Sequence, residues 1–536
     1  MVSSVWGMCV EGIQARFVRV EVDIANGLPA FEIVGLPATA VREARERVRA
    51  AIRNSGFSFP MQRITVNLAP ADLRKEGSGL DLAIAAGILA ALGEVPGDLD
   101  NYVLSGELSL DGRVRPVTGI LTLAVVLRAQ AEQREREEGQ GWTLVVAQEN
   151  VIEARLAEKV PCCGVTTLSE LVGVLNGRET GQLTDERPNV TDSAEGKAQV
   201  DFRDIRGHLQ VKRVLEVAAA GAHNVLMIGP PGVGKTLMAK AFAGILPPMN
   251  REECLQVTQI YSLAGLLSAQ PRDNPLIRQR PFRSPHHTAT LSAMMGGGQR
   301  AMPGEVALAD HGVLFLDELP EFPRDVLEAL RQPLEDGVVH IARQKWKAVY
   351  PARLSLIATM NPCPCGYLGD LGRECRCTPA QIKAYRGRIS GPLLDRFDIQ
   401  VEVGPLSYEE MHGPGEGEPS AKIARRVAAA RELQQERLKG HFRQEKGQGI
   451  GFADNVLANA RMSGALTREI CRLGESGQQL MRRVFSDNML SVRAYDRVLR
   501  VARSIADLAQ EQEILTEHVA EAISYRGIVE SLRFLE

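Results

Sequence analysis

The stretch that decides the fold is VLMIGPPGVGKTLMAKAFAG, residues 225–244. Its four leading apolar residues predict a buried strand, its glycines a tight turn, and the residues after Thr236 a helix. Gly229, Gly234, Lys235 and Thr236 match G-x-x-x-x-G-K-[ST] in the strand-to-helix context that the motif requires. The residue types follow from the chemistry of holding a polyphosphate. In the loop Gly229, Pro230, Pro231, Gly232, Val233 and Gly234, glycines let backbone N–H groups turn inward around a phosphate. The helix N-terminus adds a positive dipole end, and Lys235 neutralises β- and γ-oxygens. Thr236 is placed to hold Mg²⁺, so ATP and Mg²⁺ are the expected ligands. A plain glycine-rich turn is the alternative, and strand, spacing and Lys-Thr together argue against it.

Two further apolar runs end in polar residues suited to the same reaction. In GVLFLDELPEF, residues 312–322, Val313 to Leu316 deliver Asp317 and Glu318 at the carboxyl end of a strand. The first carboxylate would hold the metal and its water shell, and the second would orient and activate the attacking water. LSLIATMNPC, residues 354–363, ends a further strand at Asn361, a candidate for placing that water against the γ-phosphate. GPLLDRFDIQVEV, residues 391–403, presents Arg396 between Asp395 and Asp398. A surface ion pair with either aspartate is the bland reading of that arginine.

Around this core the 536 residues fall into segments. Residues 1–176 alternate β-rich and helical stretches and read as one α+β domain. Residues 177–200 lack apolar periodicity and read as a linker. Residues 201–405 alternate strands and helices as in a parallel α/β sheet, and residues 406–536 carry a helical pattern after the break HGPGEGEPSA. Hydrophobic residues at 44%, charged residues at 24% and a net charge of -3 exclude a globally basic nucleic-acid coat. With no apolar run approaching ~20 residues and no secretory pattern at the start, we expect a cytoplasmic protein without a membrane partner.

These motifs, together with RPFRSPHHTAT (280–290), PGEVALADHGVLFLDELPEF (303–322), MNPCPCG (360–366) and LSVRAYDRVLRVARSIADL (490–508), resemble AAA+ ATPases of the magnesium-chelatase-like group. More narrowly, they resemble the ComM (YifB-type) family of branch-migration helicases over essentially the whole chain. The resemblance implies an α/β multidomain protein with an AAA+ P-loop parallel α/β domain and a C-terminal helical lid. It implies that Arg396 is an arginine finger reaching the neighbouring subunit's ATP, that Arg493 is the sensor-2 arginine, and that a homo-hexameric ring is the working form. RKEGSGLDLAIAAGILAAL (74–92) and SGELSLDGRVRPVTGILTLAVVLRA (105–129) in turn resemble the Lon proteolytic domain, of ribosomal S5 type, which uses a serine–lysine dyad. Aligned on the glycines, Gly79 stands at the serine position and Leu121 at the lysine position, and Ser78 is one residue out of register. A catalytically silent scaffold is the expectation for this domain.

Four of the nine cysteines lie in one loop, residues 363–377, as Cys363-x-Cys365 and Cys375-x-Cys377. A structural Zn²⁺ held by four thiolates, reduced thiols in a glycine-rich loop and a redox disulfide all fit the spacing, and zinc is the expectation.

Finally, residues 274–304 and 338–369 contain no Asp or Glu. Within the second, Arg343, Lys345 and Lys347 recur every second residue, on one face of an extended segment, and Trp346 could stack on a base. Such a row suits a phosphate backbone, and a solvated charged hairpin is the alternative. The resemblance places these stretches at the helix-2 insert and the pre-sensor-1 hairpin, which line the pore. Two functions follow as expectations: an ATP-driven DNA translocase acting on single-stranded and branched DNA alongside recombination proteins, or a chelatase-like motor remodelling a protein partner.

Overall fold

The computed structural model describes residues 2–138, 141–178, 200–267, 275–298, 301–343, 346–370, 372–412, 417–442, 458–486 and 492–526. Met1–Ala194, Arg251–Ile277 and Lys345–Ala348 form one unit, and Glu195–Asn250, Arg278–Gln344 and Val349–Glu536 form a second.

In the first unit, β1 (Val2–Glu11), β2 (Gln14–Ala25), β3 (Ala30–Val34), β4 (Arg63–Ala69), β5 (Asp98–Ser105), β6 (Thr143–Ala147) and β7 (Cys162–Val165) make a seven-stranded sheet in the order β3-β4-β2-β1-β5-β6-β7. The β1–β2 and β2–β4 pairs are antiparallel and the others parallel. Val18, Val20 and Val22 alternate onto one buried face of β2, as a period of two dictates. The helix α1 (Thr39–Asn54) buries Val41, Ala44, Val48, Ala51 and Ile52 along one stripe. The helix α2 (Asp81–Ala91), which α3 (Ile120–Glu138) follows in the chain, is apolar all round after its first residue, and all eleven residues of α2 are buried. The one carboxylate of α2, Asp81, receives Arg47 in a fork, Nε to Oδ2 at 2.7 Å and Nη2 to Oδ1 at 3.0 Å. Burial outweighs that pairing and pushes the carboxyl up to about 6. The helix Arg251–Leu263, which falls within the segment read from sequence as the ATPase core, belongs to this unit. Its Ser262 Oγ accepts from the backbone N–H of Gly119 at 3.0 Å and donates to the Glu153 carboxylate.

The second unit is built on β8 (Val225–Ile228), β9 (Phe282–Arg283), β10 (Val313–Leu316), β11 (Ser355–Met360) and β12 (Ile399–Glu402). They form one parallel sheet in the order β9-β10-β11-β8-β12. Every residue of β8, β10 and β11 is buried, which is why these strands read as continuous apolar runs. The parallel α/β sheet agrees with the fold class expected from the sequence. Its strand order matters for chemistry: β11 lies between β8 and β10, so Asn361, the residue after β11, sits between the loop that follows β8 and the acid pair that follows β10.

The helices α4 (Leu209–Gly221), α5 (Lys235–Ala243), α6 (Ser420–Phe442), α7 (Val492–Leu508) and α8 (Thr516–Ser524) are among those of the unit. Val498, Val501, Ala502 and Ile505 mark the buried stripe of α7 and join one apolar cluster with Val225, Met227 and Ile399 of the sheet. Asp507 is fully buried at the end of α7 and accepts from Arg503 Nε at 3.0 Å and Asn459 Nδ2 at 2.8 Å.

Candidate active site

The loop between β8 and α5 has the backbone that the sequence predicts. Gly232 and Gly234 adopt φ of 84° and 88°, in the left-handed region that glycine reaches without cost. Gly229 is needed for a different reason, because a Cβ there would lie 2.2 Å from the Val403 carbonyl oxygen. Lys235, the first residue of α5, is buried, and its Nζ donates to the carbonyl oxygens of Gly229 at 2.6 Å and Pro230 at 2.9 Å and to Asn361 Oδ1 at 3.1 Å. Burial lowers its pKa from the ordinary lysine value, with Asp317 and Glu318 opposing that shift.

Thr236 and Asp317 meet, the threonine Oγ1 donating to Asp317 Oδ2 at 2.9 Å. Two adjacent ligands of an octahedral Mg²⁺ with bonds of about 2.1 Å stand about 3.0 Å apart, so these two hard oxygens fit the ion. Thr359, fully buried on β11, fixes both acids: its hydroxyl donates to Asp317 Oδ1 and accepts the backbone N–H of Glu318 at 3.1 Å. Sequence reasoning missed it. The signal was a hydroxyl in a strand that is apolar apart from its first residue Ser355, two residues before Asn361. Glu318 itself is exposed and holds φ at 54°, a left-handed conformation that costs a non-glycine residue about 1–3 kcal/mol.

A cavity of about 550 Å³ opens beside the loop. Gly232, Gly234, His208, Leu406, Tyr367 and Arg373 are among its lining residues. The first two are in the motif, His208 and Leu406 come from segments with no local signature, and Tyr367 and Arg373 come from the cysteine loop. Arg396 and Arg493 line a separate cavity of about 420 Å³ together with Arg461, Arg497 and Arg500. Arg396 is mostly buried there and pairs with Glu335, while Asp398 is held by His223 at 3.3 Å and Arg497 at 3.6 Å. The bland partner proposed from sequence, a flanking aspartate, is thus replaced by Glu335.

The cysteine loop begins two residues beyond Asn361. The sulfurs of Cys363, Cys365, Cys375 and Cys377 all lie within 4.8 Å of one another. Three of the separations are 3.4 Å for Cys363–Cys365 and 3.6 Å for Cys363–Cys375 and Cys365–Cys375. A tetrahedron of metal–sulfur bonds of about 2.3 Å has edges of about 3.8 Å, whereas a disulfide needs about 2.05 Å. The four thiols therefore fit a tetrahedral soft-metal site. The remaining five cysteines are buried singly or, at 162 and 163, as sequence neighbours, and burial pushes Cys9, Cys162 and Cys471 up to about 12. Of the basic hairpin, β-strands run over Val338–Arg343 and Trp346–Pro351. Lys345 and the side chains of Arg343, Trp346 and Lys347 lie outside the described residues.

Where the dyad of a Lon-type peptidase would stand, the groups are engaged otherwise. Ser78 donates to the Glu107 carboxylate, Leu121 is fully buried, and the fully buried Lys75 donates to the Gly35 carbonyl at 3.0 Å and to that of Pro70.

Comparison with known proteins bears on the whole chain. The family model for magnesium chelatase, subunit ChlI, matches residues 201–411. Models for subunit ChlI of Mg-chelatase and for the ChlI C-terminal region match residues 20–136 and 417–526. YifB of Salmonella typhimurium is 44% identical over 96% of this chain and 95% of its own length, and YifB of Escherichia coli is 43% identical over the same shares. The competence protein ComM of Haemophilus influenzae is 42% identical over 98% of this chain and 97% of its own. No helix among the described residues is long and apolar enough to cross a membrane. On this near-complete coverage the chain belongs to the ComM/YifB family of magnesium-chelatase-like proteins.

Proposed function

We propose that this chain is an ATPase that works as a homo-hexameric ring and drives branch migration of DNA during recombination or transformation. The observation that carries the proposal is the convergence of Lys235, Thr236, Asp317 and Asn361 through direct hydrogen bonds at the carboxyl ends of three adjacent parallel strands. In this reading Lys235 exchanges its carbonyl partners for phosphate oxygens, and Thr236 with Asp317 holds Mg²⁺, which neutralises charge developing on the phosphates. Glu318 takes the proton of the attacking water and Asn361 orients that water. Arg396 and Arg493 line a cavity distinct from the nucleotide pocket, an arrangement that suits action on a neighbouring subunit's nucleotide. The four cysteines hold Zn²⁺. The N-terminal unit is a Lon-like scaffold without peptidase chemistry, and α7 with its neighbours is the lid.

The DNA part rests on the acid-free basic stretches and on similarity to a protein named for competence. A chelatase-like motor that remodels a protein is the second reading, favoured by the family models themselves. ATP hydrolysis measured with and without forked DNA separates them, stimulation being expected for the translocase. Replacing Arg343 and Lys345 by alanine should then weaken DNA binding and flatten its salt dependence by about one to two units of log–log slope, with basal hydrolysis retained. Unchanged affinity and slope would reject the hairpin as the DNA contact.

A further inference from the structure

The cysteine loop and the nucleotide pocket are contiguous. Between its two cysteine pairs the chain contributes Tyr367, Asp370, Gly372 and Arg373 to the 550 Å³ cavity beside the P-loop. These four residues are organised locally. Arg373 lies over the Tyr367 ring, 5.1 Å from its centroid, and its Nη1 donates to the tyrosine hydroxyl at 2.7 Å. Asp370 Oδ1 accepts the backbone N–H groups of Gly372 at 2.7 Å and Arg373 at 3.0 Å. The loop also presses on the P-loop directly. Gly366 has φ of 85°, and a Cβ there would lie 2.6 Å from Pro231 Cδ. Upstream, only Pro362 separates Cys363 from Asn361, whose side chain receives the Lys235 ammonium.

The anchoring of this wall is therefore the four sulfurs. The segment from Gly366 to Glu374 contains no regular helix or strand among its described residues, so its shape depends on what closes its two ends. Four thiolates brought within 4.8 Å repel one another unless a cation neutralises them.

We propose, building on the zinc reading above, that a zinc ion on Cys363, Cys365, Cys375 and Cys377 holds Tyr367 and Arg373 as a wall of the nucleotide pocket, so that zinc and ATP strengthen each other's binding. The two occupants share one loop, and linkage makes the effect reciprocal: the factor by which zinc raises ATP affinity is the factor by which ATP raises zinc affinity. Tyr367 and Arg373 both line the cavity, an aromatic ring and a cation, chemistry suited to the base and the phosphates of a nucleoside triphosphate.

The test uses the full chain. Metal analysis should give about one zinc per chain, and Cys375→Ser should lose it. A fluorescent ATP analogue should bind Cys375→Ser at least about fivefold more weakly than the wild type. In the wild type, a saturating non-hydrolysable ATP analogue should raise zinc affinity, measured by equilibrium competition with a chromogenic chelator, by the same factor. The double variant Tyr367→Ala/Arg373→Ala should keep its zinc, bind the analogue weakly and lose the coupling. Should Cys375→Ser fail to fold, the chelator competition on the wild type decides alone. Zinc present with an affinity indifferent to nucleotide overturns the coupling and leaves the zinc reading standing. A chain without zinc, still binding ATP, removes both.

Discussion

The two sheets of this molecule bury their strands differently, alternate residues of β2 in the first against every residue of β8, β10 and β11 in the second, and they use their polar residues in opposite ways. In the seven-stranded sheet and its helices, three polar groups between residues 75 and 81 each have a partner of their own: Lys75 has backbone carbonyls, Asp81 has Arg47, Ser78 has Glu107. In the five-stranded sheet the polar residues past the strand ends bond one another across the gap between P-loop and acid pair. One of them, Glu318, is exposed and held in a costly backbone conformation. Satisfied polar groups make a scaffold. Groups held together at an opening, next to a cavity, with strain retained, make a site.

The sharpest way to break this contrast is Glu318→Gln, which should lower ATP turnover about a thousandfold while nucleotide binding persists; hydrolysis at the wild-type rate would remove Glu318 as the base. Arg396→Ala comes next. It should lower hydrolysis by about 10²–10³-fold in assembled rings, and mixing with Lys235→Ala subunits should restore part of the activity if the arginine acts across subunits. In the scaffold, Arg47→Ala should cost about 2 kcal/mol at pH 8, read from the emission of Trp6 and Trp142 during denaturant unfolding. The pH dependence has a definite sign. Asp81 titrates near 6 when folded and near 4 when unfolded, so the folded state binds more protons in that window and stability rises as pH falls from about 6 to 4. Removing Arg47 should raise the folded value further, so its cost shrinks in acid. The smallest effect belongs to Ser78→Ala, which should leave an absence of casein cleavage unchanged; activity lost on that substitution would make the first sheet a second site.

The parts of this site visible in sequence are those encoded within one strand–loop–helix step. Residues 229–236 and the pair 317–318 are short-range patterns, and the apolar runs before them announce buried parallel strands. His208 and Leu406 were not legible, since each is recruited by tertiary packing from a segment without local signature, and Thr359, Tyr367 and Arg373 lie in segments whose pattern pointed to other residues. The helix Arg251–Leu263 shows the same limit at the level of the fold. Its apolar face says that it covers a core, and nothing in its periodicity says which one. The four cysteines were visible as spacing, but their sharing of a loop with Tyr367 and Arg373 became meaningful only once the cavity was known.

The left-handed backbone of Glu318 has a consequence for anyone improving this protein by selection. Glycine is the residue best suited to that φ, and Glu318→Gly should relieve about 1 kcal/mol of conformational cost. A screen for heat resistance alone would therefore enrich a substitution that discards the carboxylate. Thermal tolerance and turnover pull in opposite directions at a single residue, and a library ranked only by melting temperature would drift toward well-folded chains that have lost the Glu318 carboxylate.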